Sequence, residues 1–145
     1  MHYAQVVSYL SQVFAVPNFT VTPYSLYDDE LGCHGPFDLV LCSGVLYHVT
    51  DLVWALRIMF ERLVDGGKVL IETMVHNDDD TTLAYKGPRV PGYCWFSPSP
   101  KTLQWMMEDV GFTSVEFKKT DALRGLAIGT RERYVTMMQA GTPGR

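Results

Sequence analysis

Apolar residues recur along the chain with two different spacings, and each predicts a different kind of element. Near the start, Tyr3, Val6, Val7, Leu10, Val13 and Phe14 fall at helical intervals until Pro17-Asn18 breaks the pattern. This predicts an amphipathic helix, with a short strand following at about Phe19 to Pro23. Phe37 to Ser43 is nearly continuous in apolar residues between Gly35-Pro36 and Gly44, as expected of a strand buried on both faces of a parallel sheet. Helical spacing returns at Leu52, Val53, Leu56, Met59, Phe60 and Leu63, with Thr50 or Asp51 to cap the helix and Gly66-Gly67 to end it. Lys68 to Thr73 reads as the next buried strand.

A strand, a helix, a Gly-Gly stop and a second strand make a βαβ unit, whose two strands lie parallel, and this sets the class as α/β. Val75 to Phe96 reads as a long loop with an acidic run at Asp78-Asp79-Asp80, and connections of that length often carry function. Ser99 and Pro100 then read as the N-cap and first residue of a helix that buries Leu103, Met106, Met107 and Val110 before Gly111 closes it. Two closing strands are predicted as an antiparallel pair, about Thr113 to Lys118 and Arg133 to Met138, ahead of a frayed tail at Gly141 to Gly144.

A length of 145 residues, 47% of them hydrophobic, suits a single domain over 1–145 with one core. The formal charge of −4 argues against nucleic-acid binding over the whole surface. Six of the 12 Lys/Arg but only three of the 16 Asp/Glu lie from Thr113 onward, which leaves either a local basic patch or solvated faces of the closing strands. Cys33, Cys42 and Cys94 are odd in number and lack Cys-x-x-Cys spacing, so neither a disulfide framework nor a zinc ribbon is indicated. No apolar run approaches the roughly 18 residues that span a bilayer. Together these features predict a soluble, cytoplasmic protein that does not enter membranes.

The segment Phe37 to Thr73, FDLVLCSGVLYHVTDLVWALRIMFERLVDGGKVLIET, resembles the central part of class I S-adenosylmethionine (SAM)-dependent methyltransferases. Within it GVLYH, at Gly44 to His48, and then WFSPSPKTLQWMMEDVGF, at Trp95 to Phe112, resemble the branch that includes the tRNA wobble-uridine carboxymethyltransferases. The resemblance implies an incomplete Rossmann-like doubly wound sheet, mostly parallel with a C-terminal antiparallel pair, and SAM as cofactor. It implies the family's third, fourth and fifth strands followed by its sixth and seventh. The glycine-rich G-x-G-x-x-G turn that the family places after its first strand is absent from this sequence, so half of the cofactor pocket is expected to be missing.

For the other half, the resemblance puts Asp28 or Asp29 near the adenine amino group, and Ser43, Gly44 and Leu46 at the strand end against the cofactor. Leu46 and Tyr47 then wall the transfer site, and His48 is a candidate general base or substrate-orienting donor. Structural roles stand beside each of these: solvated aspartates, residues that cover the end of the sheet, and a histidine that caps a helix. His76 with Asp78, Asp79 and Asp80 matches no metal-ligand spacing, and no metal site is expected. Tyr93, Trp95 and Phe96 offer either a base-stacking surface or packing over the sheet edge.

Three outcomes follow. The chain is a methyltransferase-like protein acting on an unidentified acceptor, inactive as a lone chain. Alternatively it is a non-catalytic binding or assembly module, homo-oligomeric through an open sheet edge or completing a partner chain. Or the sequence begins downstream of the true start. If the acceptor is RNA, Lys118, Lys119, Arg124, Arg131 and Arg133 are the first cations to consider.

Overall fold

The computed structural model describes residue 9 and residues 24–28, 34–76, 80–87 and 94–132. The predicted opening helix apart from Tyr9, the strand at Phe19 to Pro23, Asp29, Cys33, Tyr93 and the segment from Arg133 onward lie outside them.

Strand β1 (Phe37–Ser43) leads through a short 3-10 turn (Leu46–His48) into helix α1 (Leu52–Glu61). Asp51 is the N-cap, accepting a hydrogen bond from the Trp54 backbone N–H at 2.9 Å. This satisfies one of the donors a helix start leaves open. Leu52, Ala55, Leu56 and Met59, one stripe at helical spacing, are buried. Strand β2 (Leu63–Met74) runs parallel to β1, with Leu39 opposite Lys68 and Ser43 opposite Glu72. The helix stops at Glu61, ahead of the predicted Gly-Gly break, and both glycines belong to the entry into β2. At Gly67 a Cβ would lie 2.8 Å from the Val64 carbonyl oxygen, so only glycine passes there.

The predicted loop, Val75 to Phe96, contains a short strand, β3 (Leu83–Tyr85), and its last residue opens another, β4 (Phe96–Pro98); the two pair antiparallel as a separate sheet. Helix α2 (Pro100–Val110) follows, capped by Ser99 and closed by Gly111 at φ +121°. Strands β5 (Phe112–Lys119) and β6 (Arg124–Arg131) complete the main sheet, whose order is β1-β2-β6-β5.

Three expectations are corrected. A strand, Arg124–Arg131, stands where the sequence predicted the loop between the closing strands: its inward residues are Gly125, Ala127 and Gly129, too small to register as an apolar run. Their size has a packing reason, since a Cβ at Gly129 would meet the Met107 side chain at 2.9 Å and Phe112 at 3.1 Å. The α/β Rossmann-like class stands, but among the described residues the sheet is mostly antiparallel, with β1 and β2 its one parallel pair. Finally, β1 is not buried on both faces. Cys42 faces the core, whereas Leu39 and Leu41 are 58% and 65% exposed.

The core lies on one face of the sheet. Val69, Ile71 and Ala127 meet Leu56 and Met59 of α1 and Leu103 and Met107 of α2 in one cluster. Phe60 and Phe112 pack edge to face at 5.0 Å, tying α1 to the start of β5. With α1 and α2 on that side, the carboxyl ends of the parallel strands lie, among the described residues, beside the 3-10 turn.

Candidate functional site

Chain direction changes where β1 ends. Gly44 takes φ +69°, a conformation that L side chains rarely adopt. Its N–H donates to the Glu72 carbonyl at 3.0 Å, so the strand end stays fastened to β2 as the backbone turns away. Leu46 then drops into the core, 1% exposed, and anchors the turn. Tyr47 stays half-buried and His48 exposed, their rings 4.2 Å apart.

Around this turn gathers a polar cluster. Glu72 sits opposite Ser43 in the parallel register, and its carboxylate accepts from the Ser43 hydroxyl at 3.2 Å. Arg124, at the start of β6, donates to both oxygens of the same carboxylate through Nε and Nη2, the Nη2 contact being 3.0 Å. A bidentate fork of this kind fixes geometry as well as charge. The guanidinium also lies over the Tyr47 ring, 5.5 Å from its centroid. The Arg124 hydrogen bonds hold the Glu72 carboxyl below the usual carboxylate range, with help from Ser43 and the Gly44 N–H. Hydrogen bonds to Glu72 and then to Tyr47 push the guanidinium pKa higher still, so the cation is permanent.

Gly44 is the floor of this cluster. A Cβ built there would stand 3.6 Å from the Tyr47 hydroxyl and 4.0 Å from Arg124 Nη2. The bare backbone therefore faces a cation and a phenol, the donors that an anionic group needs.

The remaining candidates divide. Tyr27 donates to the Asp51 carbonyl at 3.3 Å, which ties the loop carrying Asp28 to the start of α1. The Asp28 carboxylate accepts from the Ser25 N–H at 2.7 Å through Oδ2. Burial pushes the Cys42 thiol up to about 11, an inert core group rather than a nucleophile. His76 is occupied structurally: one ring nitrogen contacts the Ser97 carbonyl oxygen and the other the Thr82 hydroxyl. Among the described residues no three His, Cys, Asp or Glu side chains gather as a metal site would require. Nor is any helix of the described residues long and apolar enough to cross a membrane.

The basic patch disperses. Arg124 is committed to Glu72, while Arg131, at the far end of the same strand, donates through Nη1 to the Phe60, Glu61 and Leu63 carbonyls and so caps α1. Beside Arg131 a cavity of about 520 Å³ opens among His34, Arg62 and Asp65. It lies at the amino end of β1, opposite the end where open α/β sheets bind ligands.

Sequence reasoning missed Glu72, and it named Arg124 only as an RNA contact. One signal was available for Glu72, an ionisable residue inside a strand read as buried.

A family model described as a methyltransferase domain matches residues 7–116. The chain is 34% identical over 87 residues to the tRNA U34 carboxymethyltransferase of Colwellia psychrerythraea, covering 59% of this chain and 27% of that protein. It is 30% identical to that of Psychromonas ingrahamii over 94% of this chain and 45% of that protein. The chain thus spans less than half the length of these curated relatives. Among solved structures, an O-methyltransferase family protein from Burkholderia thailandensis superposes with a TM-score of 0.65 at 18% identity, over 89% of this chain and 40% of that one. The N-terminal domain of EvdMO1, solved in the presence of S-adenosylhomocysteine (SAH) and D-fucose, gives 0.64 at 19% identity, over 87% and 60%.

Proposed function

The chain belongs to the SAM-dependent methyltransferase domain family, and from that premise we propose that the carboxyl end of β1 is the transfer half of a donor site whose acceptor is RNA. The observation that carries this reading is the Tyr47, Arg124, Glu72 and Ser43 cluster closing around the bare backbone of Gly44. A packed, apolar strand end would have argued for a purely structural role.

The residues present fit one side of the donor. Gly44 allows the close approach, Ser43 and Tyr47 border it, and the Asp28 carboxylate has an oxygen beyond its Ser25 contact for the adenine amino group. When bound, a SAM-type donor supplies an electrophilic carbon on a sulfonium. This chain's residues position the acceptor, exclude water and stabilise charge, which is where most of the acceleration of an in-line displacement resides. His48, exposed at the end of the turn, is in this reading the residue that takes the acceptor's proton. The relatives are named for carboxymethyl transfer, and a carboxymethyl donor carries one more negative charge than SAM at the transferred group. The Arg124 Nη1, which the fork to Glu72 does not use, and the Tyr47 hydroxyl are the donors matched to that carboxylate. The sequence contains no glycine-rich turn, so the chain's own residues hold the donor weakly, and a single domain of this kind reacts slowly or not at all when alone. An RNA acceptor is consistent with a cytoplasmic protein.

The test is calorimetric. SAM and an analogue bearing carboxymethyl on sulfur are titrated into the wild-type chain and Arg124→Gln. The wild type should favour the analogue, and the variant should lose that preference while keeping its affinity for SAM. Equal preference in the two proteins would refute the assignment of Arg124. Micromolar affinity for SAM itself would refute the claim of a half-built site.

A second reading has its own observation, the exposed Leu39 and Leu41 on β1, the edge strand of the sheet among the described residues. Such an edge is a template for another strand, which would make the chain an assembly module that self-associates there. Sedimentation across a concentration series separates the readings: a monomer throughout removes this one and leaves the donor site intact.

A further inference from the structure

The small β3–β4 sheet presents an aromatic corner beside the strand end. Tyr85 is 65% exposed, yet its ring has a fixed place. It leans on Phe96, its register partner, at 5.6 Å between centroids and on Trp95 at 6.5 Å. The position two residues on must be glycine for the ring to lie there. A Cβ on Gly87, whose φ is +66°, would fall 2.5 Å from the Tyr85 hydroxyl oxygen and 2.6 Å from its ring. The Lys86 and Gly87 N–H groups both donate to the Trp95 carbonyl, at 2.9 and 3.2 Å, and lock the corner from below. An exposed tyrosine over a purpose-made glycine is not a packing residue left on the surface.

The corner is also joined to the site. The Trp95 N–H donates to the Tyr47 carbonyl at 2.8 Å, so one hydrogen bond separates the aromatic surface from the residue that borders the transfer position. Lys86 follows Tyr85 directly in the chain and brings a cation to this corner of the small sheet.

We propose that Tyr85, backed by Phe96 and Trp95 and seated on Gly87, is a stacking platform that holds an unpaired nucleobase of the RNA acceptor next to Tyr47. The proposal rests on the RNA-acceptor reading above and names the residue that positions the acceptor in it. An unpaired base is the occupant the geometry favours, because a single rigid ring with one open face suits a planar partner. The adjacent lysine meets the phosphate that every nucleotide carries. A peptide partner would engage the backbone edge of the two-stranded β3–β4 sheet, whereas what this corner exposes is the Tyr85 ring.

The experiment uses fluorescence anisotropy with a short labelled single-stranded RNA containing one uridine, and the same strand made abasic at that uridine. Tyr85→Ala should weaken binding of the intact strand by about 5- to 150-fold, the range seen when one stacked base loses its aromatic partner. Tyr85→Phe should bind within about twofold of wild type, since the stack survives. Gly87→Ala should behave like Tyr85→Ala, because its methyl occupies the ring's place while the tyrosine is retained. The abasic strand should bind wild type and Tyr85→Ala alike, a coupling that a general loss of structure would not give. If Tyr85→Ala does not fold, wild type with the two strands still decides: equal affinity for both overturns the platform. Wild type that binds RNA while Tyr85→Ala binds it equally well also overturns the platform, and hands the surface to a protein partner, but leaves the RNA reading standing. Wild type that binds neither strand removes both.

Discussion

Replacing Gly44 by alanine isolates the conformation at the heart of the site. The new methyl would meet its nearest neighbours at 3.6 and 4.0 Å, ordinary van der Waals distances, so crowding contributes almost nothing. The backbone, at φ +69°, carries the whole cost. Holding an L residue in that region costs about 1–2 kcal/mol, which for a domain of this size lowers the melting temperature by roughly 3–8 °C. Asparagine tolerates the same region better than alanine. Gly44→Asn should therefore recover about half of the loss, although its side chain is larger. Thermal melts of the three proteins followed by circular dichroism measure this directly. In parallel, affinity for the carboxymethyl donor should fall in both variants, since either side chain stands between the Tyr47 hydroxyl and the Arg124 guanidinium. An alanine variant that melts with wild type, or an asparagine variant that melts below it, would refute the strain argument.

Three other outcomes are expected. Ser99→Ala should destabilise more than Asp51→Ala, though both remove an N-cap. Asp51 is exposed and its loss should cost about 1 kcal/mol, whereas buried Ser99 also donates to the Asp80 carbonyl at 2.6 Å and should cost roughly 2–3 kcal/mol by urea denaturation. Leu56→Ala, at a position with 0% exposure, should cost about 2–5 kcal/mol, and a loss below 1 kcal/mol in the same titration would show that the α1 contact with the sheet is looser than described. Glu72 has a depressed folded pKa, so its contribution to stability is complete above the unfolded value of about 4.3 and disappears as pH falls through the lower folded value. The stability gap between wild type and Arg124→Gln should accordingly be constant near neutrality and shrink in acid, and a gap undiminished at the lowest pH where both remain folded would count against the ion pair.

The elements with strong local chemistry were legible in the sequence. Ser99 with Pro100, and Asp51, mark helix starts because a short polar side chain there satisfies a backbone donor regardless of tertiary context. The order β1-β2-β6-β5 keeps the predicted parallel strand–helix–strand unit and a closing antiparallel pair as neighbours in one sheet. What failed was inference from apolar runs about faces. FDLVLCS is as apolar as a doubly buried strand, yet among the described residues helices cover one of its faces, and Leu39 and Leu41 are exposed on the other. Conversely, RGLAIGTR reads as a loop because of its glycines, yet those glycines let α2 and Phe112 press against the sheet.

The site was harder to read because its chemistry is made by register. Ser43, Glu72 and Arg124 are far apart in sequence, and nothing local in any of the three segments announces the others. Two facts of pairing bring them together. The parallel register sets Ser43 opposite Glu72, and the antiparallel one sets Arg124 opposite Met74, two residues along the same strand and on the same face as Glu72. A shift of one residue in either ladder would turn the side chains to opposite faces and dissolve the cluster. The ion pair thus reports on the alignment of all three strands at once. It also explains why a charged residue is tolerated within the Val69–Met74 half of β2: Glu72 is half-buried because Arg124 reaches both of its oxygens. Tyr47, GVLYH and the end of β1 were visible from the sequence, but the cation that gives them a chemical purpose arrives from 52 residues beyond Glu72.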